Sequence, residues 1–226
     1  MVNGEILDIL KNSKKNGWVL EPDAKRILRI SGFDLPEHTL ASSAEEAARF
    51  ANKTGYPVVA KVVSPEIIHK SDVGGVEVNI DNDKRLKTVF NRFSKMDGFA
   101  GLFVEKMVSG TELIIGAKID EQFGPVVLMG IGGVGVELYG DTSIRMAPVS
   151  KTDVKSMTGD LKAKKLIEGF RGSRPVNTDK LSSTLVKFSE LVMELKEKIE
   201  SIDLNPVICR GPDCVIADAR IILKKK

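Results

Sequence analysis

His69, one of two histidines in the chain, stands in a connection that also carries Lys70 and the pair Gly74-Gly75. A neutral imidazole is a nucleophile, and histidine is partly neutral near physiological pH. Glycines beside a cation suit a phosphate group, so these residue types together point to phosphoryl transfer on a loop. Two β-like runs, Val58–Val63 and Val76–Ile80, flank the connection. Most hairpin connections take about two to five residues, and one running from 64 to 75 is long enough to be functional in itself. Lys61 lies among valines in the first run, on one face with Val59 and Val63 by strand alternation. An unpaired buried ammonium is costly, so Lys61 must reach solvent or an anion. With the glycine loop following, a phosphate is the better partner.

A second constellation lies between residues 203 and 220. If Arg210-Gly211-Pro212-Asp213 turns a hairpin, Cys209 faces Cys214, Asn205 falls opposite Asp218, and Asp203 falls opposite Arg220. A carboxylate and an amide oxygen so placed can share Mg²⁺, which takes hard oxygen ligands together with nucleotide phosphates. A plain polar outer face is the alternative, and Pro206 can shift the register with a bulge. Gly130-Ile131-Gly132-Gly133-Val134-Gly135 is a further glycine-rich loop, but no helix start follows it, so tight turns explain it as well as a dinucleotide site does. Arg145 shares a strand face with Ser143 and is placed to reach a phosphate. Glu105 to Val108 ends a strand just before Gly110 and can present backbone groups to an adenine edge, with Glu112 near a ribose.

These residues need elements to position them. Residues 21–31 read as a helix that starts near Pro22 and stops at Gly32. Ser42 with Glu45 makes a capping-box pattern ahead of a helix closed by Gly55. Residues 83–96 and 179–199 carry apolar stripes at helical spacing and read as core-packed helices. Strands are expected at Val58–Val63, Val76–Ile80, Phe103–Met107, Glu112–Ile119, Val126–Gly130, Thr142–Met146, Ser201–Ile208 and Cys214–Leu223. Short turns join several of them, which favours antiparallel pairing over repeated βαβ units. The expected fold class is α+β: two lobes with mainly antiparallel sheets enclosing a nucleotide cleft. The expected division is 1–97 for the lobe with the His69 loop and 98–226 for the lobe with the nucleotide and metal sites, because Lys95-Met96-Asp97-Gly98 breaks a helix.

Composition excludes several classes. Among 226 residues, 34 basic and 31 acidic side chains give a net charge of only +3, and aromatics make up 5%. Nucleic-acid binding is therefore disfavoured, and Lys224-Lys225-Lys226 reads as a solvated end. No apolar run approaches the ~20 residues of a membrane span. The first residues, MVNGEILDILKNSKKNG, lack the apolar region of a signal peptide, so a cytoplasmic protein is expected. Cys209 and Cys214 have no metal-ligand partners nearby and are read as free thiols in preference to a cross-strand pair.

Four segments carry a resemblance. Val58–Val76 (VVAKVVSPEIIHKSDVGGV), Glu105–Asp120 (EKMVSGTELIIGAKID), Gly132–Pro148 and Ile202–Val207 (IDLNPV) closely resemble the β subunits of ADP-forming acetyl-CoA synthetases. These are ATP-grasp members of the nucleoside-diphosphate-forming acyl-CoA synthetase superfamily, which includes succinyl-CoA synthetase. The similarity covers roughly residues 18–223. It implies an ATP-grasp fold and a ligase that uses ATP/ADP and Mg²⁺. Lys61 matches the lysine that contacts nucleotide phosphates, Glu105 and Val108 the adenine hinge, and Glu112 the ribose-binding acid. Asn205 and Asp218 match the Mg²⁺ ligands, and His69 matches a phosphoryl-carrying histidine. The resemblance also implies a separate α subunit that binds CoA and the acyl group, in an α2β2 heterotetramer. The implied reaction is acyl-CoA + ADP + phosphate ⇌ carboxylic acid + CoA + ATP. A self-contained carboxylate ligase working through an acyl-phosphate, and a non-catalytic nucleotide-sensing subunit, are the competing readings.

Overall fold

A computed structural model of the chain describes residues 2–133, 140–170 and 174–224. Two compact units emerge. The smaller, Pro36–Val108, holds a four-stranded sheet in the order β2-β5-β3-β4, built from β2 (His38–Ala41), β3 (Val58–Val63), β4 (Val76–Ile80) and β5 (Gly101–Lys106). Every neighbouring pair in it is antiparallel. Helices α3 (Ala44–Thr54) and α4 (Asp83–Phe93) supply Ala47, Ala51, Leu86, Val89 and Phe93 to one core with Val58, Ala60, Val62, Leu102 and Val104. Strand alternation turns Val59, Lys61, Phe103 and Glu105 to the opposite face of that sheet.

The larger unit combines Met1–Leu35 with Ser109–Lys226. Its sheet runs β1-β11-β9-β6-β7-β8, with β10 also paired to β9. The strands are β1 (Trp18–Val19), β6 (Thr111–Asp120), β7 (Gly124–Ile131), β8 (Thr142–Met146), β9 (Ile199–Arg210), β10 (Asp213–Ile216) and β11 (Arg220–Leu223). The helices are α1 (Gly4–Ser13), α2 (Glu21–Ile30), α5 (Lys151–Asp160), α6 (Lys165–Glu168) and α7 (Thr178–Leu195). Leu181, Leu185, Phe188 and Val192, four of the residues on the stripe expected for the last helix, are buried there against Leu113, Ile115, Val127 and Met129.

Three expectations need correction. The division at 97/98 gives way to one at 35/36 and 108/109. The reason is strand pairing: Trp18 and Val19 ladder with Ile222 and Ile221, while β5 runs between β2 and β3 in the smaller sheet. The cap of α3 sits one residue later than expected. Ser43 accepts the Glu46 amide, and Glu46 in turn accepts from the amide and hydroxyl of Ser42. The strand expected over Cys214–Leu223 is two strands, interrupted at 217–219. Among the described residues, no helix is long and apolar enough to cross a membrane.

Candidate active site

In the smaller unit, Lys61 lies opposite Phe103 and Val59 opposite Glu105, so Lys61 and Glu105 are diagonal neighbours on one face. Both are almost fully buried, and Lys61 Nζ is 2.8 Å from Glu105 Oε1. The carboxylate assigned to an adenine edge is thus the counter-ion of the lysine. His38, unremarked in the sequence, lies directly opposite Glu105, and its ring sits 5.0 Å from that of Phe103. Only the register of β2 against β5 brings His38 here, and no local pattern signals it. Lys106 and Met107 donate backbone hydrogen bonds to Glu37 and Pro57, and Val108 ends the unit.

The connection bearing His69 is held at both ends. The Ser64 hydroxyl donates to the Asp97 carbonyl (2.7 Å) and accepts the Glu66 amide (3.0 Å). At the other end the Gly75 amide donates to Lys70 O (2.7 Å), and Gly75 O accepts the Val62 amide (2.8 Å). A Cβ at Gly75 would stand 2.6 Å from Val62 Cγ1, so glycine is required by close approach there, and Gly74 has a φ of +67°. The Gly74 amide donates to Ser71 O (3.1 Å). Both glycine amides are therefore used inside the turn, and the expectation that they face a phosphate is not met in this conformation. His69 is exposed at the margin of the turn, between exposed Ile68 and half-buried Lys70.

In the larger unit the hairpin register is the same at both ends of the candidate segment, shifting only beyond Ile222: Cys209 faces Cys214, Val207 faces Ile216, and Asp203 faces Arg220. Residues 217–219 make no regular ladder pair, and the same count continued through them would set Asn205 opposite Asp218. Asn205 is exposed and Asp218 half-buried. Beside them Arg220 Nη2 approaches Asp203 Oδ2 at 3.3 Å. Cys209 and Cys214 form a disulfide, which corrects the free-thiol reading. Directly opposed on neighbouring strands, their Cα atoms are 4.2 Å apart, a spacing that allows the sulfurs to meet. Glu112 is exposed on β6. The Glu112 carbonyl accepts the Gly132 amide (2.7 Å), and a Cβ at Gly132 would meet the Glu112 backbone at 2.9 Å. Gly132 and Gly133 thus pack on Glu112, Gly130 lies against Asp141 and Thr142, and Val134 and Gly135 lie outside the described residues.

Arg145 does not join this set. Its neighbour in register is buried Val127, and its guanidinium binds Asp160 Oδ2 (2.7 Å) and Ser156 Oγ (3.0 Å) on α5. The Arg145 bond, followed by the Ser143 hydroxyl, holds the Asp160 carboxyl below the usual range. Arg145 clamps helix to sheet on the core side. The opposite face carries a row the sequence reading missed: Arg220, Asp203, Gly116, Leu128 and Ile144 are successive register partners across five strands. The alternation that makes Ile144 and Met146 exposed while Ser143 is buried was legible, but the row itself depends on strand order.

The family described as the ATP-grasp domain matches residues 11–223. The β subunit of ADP-forming acetate–CoA ligase I from Pyrococcus furiosus is 42% identical, over 96% of this chain and 97% of that protein. The chain belongs to the ATP-grasp family, among the β subunits of ADP-forming acid–CoA ligases. A solved structure of acetyl-coenzyme A synthetase 1 from Ca. Korarchaeum cryptofilum, in complex with coenzyme A and Ca-AMPCP, superposes with a TM-score of 0.88. It is 40% identical, covering 96% of this chain and 99% of that one. Another, with coenzyme A and Mg-AMPPCP, is described with its phosphohistidine segment pointing towards the nucleotide binding site. Its TM-score is 0.83, at 39% identity over 97% of this chain and all of that one.

The residues fit what this family handles. Asn205 and Asp218 are hard oxygen donors on a solvent-reachable hairpin. Among the described residues no cluster of three or more His, Cys, Asp or Glu is placed to hold a metal. A divalent cation at this hairpin would complete its shell with phosphate and water, the habit of Mg²⁺. A separate cavity of about 620 Å³, lined by Lys151, Lys155, Lys164 and Glu168, includes none of the candidate residues.

Proposed function

We propose that this chain is the nucleotide-handling subunit of an ADP-forming acyl-CoA synthetase, with His69 carrying phosphoryl between ADP/ATP and a partner. The overall reaction is acyl-CoA + ADP + phosphate ⇌ carboxylic acid + CoA + ATP. The observation that carries this reading is the contrast between an exposed His69 on a loop tethered at both ends and the buried Lys61–Glu105 pair in the same unit. A nucleophile that must be shared has to be reachable, while a cation that must orient a phosphate has to be fixed.

Each residue then has one task. Lys61, held by Glu105, meets phosphate oxygens. Glu112 accepts from the ribose hydroxyls. The row through Leu128 and Ile144 offers apolar surface to the base. Asn205 and Asp218 hold Mg²⁺, which when bound neutralises phosphate charge during transfer. In the ATP-consuming direction a ring nitrogen of His69 attacks the γ-phosphorus, an N–P bond forms, and the bond to the ADP oxygen breaks. An imidazole attacks through its unprotonated nitrogen, so the step needs no base to take a proton from the nucleophile. Lys70, adjacent to His69, offsets the charge gained by the loop. The reverse step returns phosphoryl to ADP. The partner is an α subunit that binds CoA and the acyl group, assembled as α2β2.

Incubation with γ-labelled ATP tests the relay. Acid-labile, base-stable label should accumulate on this chain. His69→Asn should abolish the label while ADP affinity stays within about twofold, a difference below RT·ln 3. Label that survives in the variant removes His69 from the mechanism. A chain that never labels yet makes acyl-phosphate favours the self-contained ligase.

A further inference from the structure

Lys25 on α2 has no exposed surface, and Glu21, one turn earlier, is 3% exposed. Their charged groups lie 3.6 Å apart. Burying an ion pair is expensive, and apolar residues of similar volume are often at least as stabilising. The neighbours of Lys25 on α2, Ala24, Ile27 and Leu28, are core residues of that kind. Lys25 therefore needs a reason that packing does not supply, and its hydrogen bond provides one. The ammonium donates to the carbonyl of Ala217 at 2.8 Å.

The ladder explains why that carbonyl needs a donor. The Ala217 amide donates to Pro206 O at 3.0 Å, which makes Ala217 and Pro206 a hydrogen-bonded pair of the antiparallel hairpin. In such a pair each residue exchanges two bonds with the other, and the return bond here should run from the amide of residue 206 to Ala217 O. Proline has no amide hydrogen. Strand β9 is internal, paired to β6 on one side and to β10 and β11 on the other, so the gap falls inside a sheet. Ala217 is half-buried, and a carbonyl that loses its ladder partner inside a sheet takes its hydrogen bond from another donor.

We infer that Lys25 is a positioning residue for the metal site, its ammonium standing in for the amide hydrogen that Pro206 lacks. The two residues proposed to hold Mg²⁺ flank this pair: Asn205 precedes Pro206 and Asp218 follows Ala217. With both polar groups of Ala217 fixed, by Pro206 O and by Lys25 Nζ, the peptide leading into Asp218 has one orientation. The segment 217–219 lies outside the regular ladder, so it depends on this anchor more than its neighbours do. The assignment rests on the metal role proposed for Asn205 and Asp218, and the test separates the two.

Titration of the full chain with Mn²⁺ in the presence of ADP, followed by electron paramagnetic resonance, gives the metal affinity, and ADP binding without metal is measured alongside. Lys25→Met keeps the stem and removes the donor. Mn²⁺ affinity should weaken about tenfold, the scale of one charge-assisted hydrogen bond, with metal-free ADP binding unchanged. A general loss of packing would not separate those two affinities. Asp218→Asn is the control for the site. If it weakens Mn²⁺ binding while Lys25→Met does not, the positioning role is overturned and the site stands. If neither variant matters, the metal site itself is misplaced and the inference falls with it. Should Lys25→Met fail to fold, Glu21→Gln, which alters the partner of the ammonium without changing side-chain size, takes its place. A loss of about threefold in Mn²⁺ affinity supports the role and unchanged affinity overturns it.

Discussion

A lysine and a glutamate 2.8 Å apart and nearly excluded from water act as a unit. Removing one takes a close counter-charge from a nearly buried group, a loss of roughly 3 kcal/mol in typical cases. Lys61→Met and Glu105→Gln should each lower stability to urea by about that amount, and Lys61→Met/Glu105→Met should cost less than their sum. Strict additivity would show that the pair does not act together. Lys61→Met should also weaken ADP binding about tenfold, as expected for the loss of one charge-assisted phosphate contact. The chemistry of Lys61 was readable from its place among valines. The partner of Lys61 was not, because Glu105 is remote in sequence and reaches it only by the β3–β5 register. Arg145 fails in the opposite way. Alternation gave it a face, but which face looks on the core is decided by α5, whose Asp160 takes the guanidinium.

Elements explain why some geometry was legible. The hairpin through Arg210–Asp213 sets its own register over a short loop, so the opposition of Asp203 to Arg220 followed from counting residues and holds past a strand interruption. The cap of α3 slid by a residue because Ser42 and Ser43 both offer a hydroxyl, and only geometry chooses between them. Strand β4, which receives the His69 connection, is an edge strand tied to α4 by charge. Glu77 takes Arg85 at 2.7 Å and Arg92 at 2.9 Å. The bond from Arg85, then that from Arg92, holds the Glu77 carboxyl below the ordinary glutamate range. A lowered folded value means that the stabilisation is present above the unfolded value, about 4.3, and fades as the pH falls through the folded value. Both arginines are about half exposed, so solvent screens the pairs. Glu77→Gln should therefore cost only about 1 kcal/mol at pH 7. Melting curves at pH 7 and pH 3 decide the matter: the gap between wild type and variant should close at pH 3. A gap that persists there would assign the effect to shape instead of charge.

At the scale of the whole molecule, local breaks mislead about division. Lys95 to Gly98 ends a helix and looks like a boundary, yet the next strand returns to the middle of the smaller sheet. The first 35 residues belong with the larger unit because β1 pairs with β11, a contact between the two ends of the sequence that no local pattern announces. The division of chemistry has the same character, since exposed His69 is proposed to serve a second site that another polypeptide supplies. That makes a test at the level of assembly. Purified alone, the chain should bind ADP with Mg²⁺ and accept label on His69, yet form no acyl-CoA from acetate, CoA and ATP. Adding an α subunit that binds CoA should restore synthesis, with the activity saturating at one α per β, and sedimentation of the mixture should give an α2β2 mass. Acyl-CoA synthesis by the isolated chain would mean that the acyl and CoA sites lie within these 226 residues. His69 would then have no second station to reach, and its tethered loop would need a different explanation.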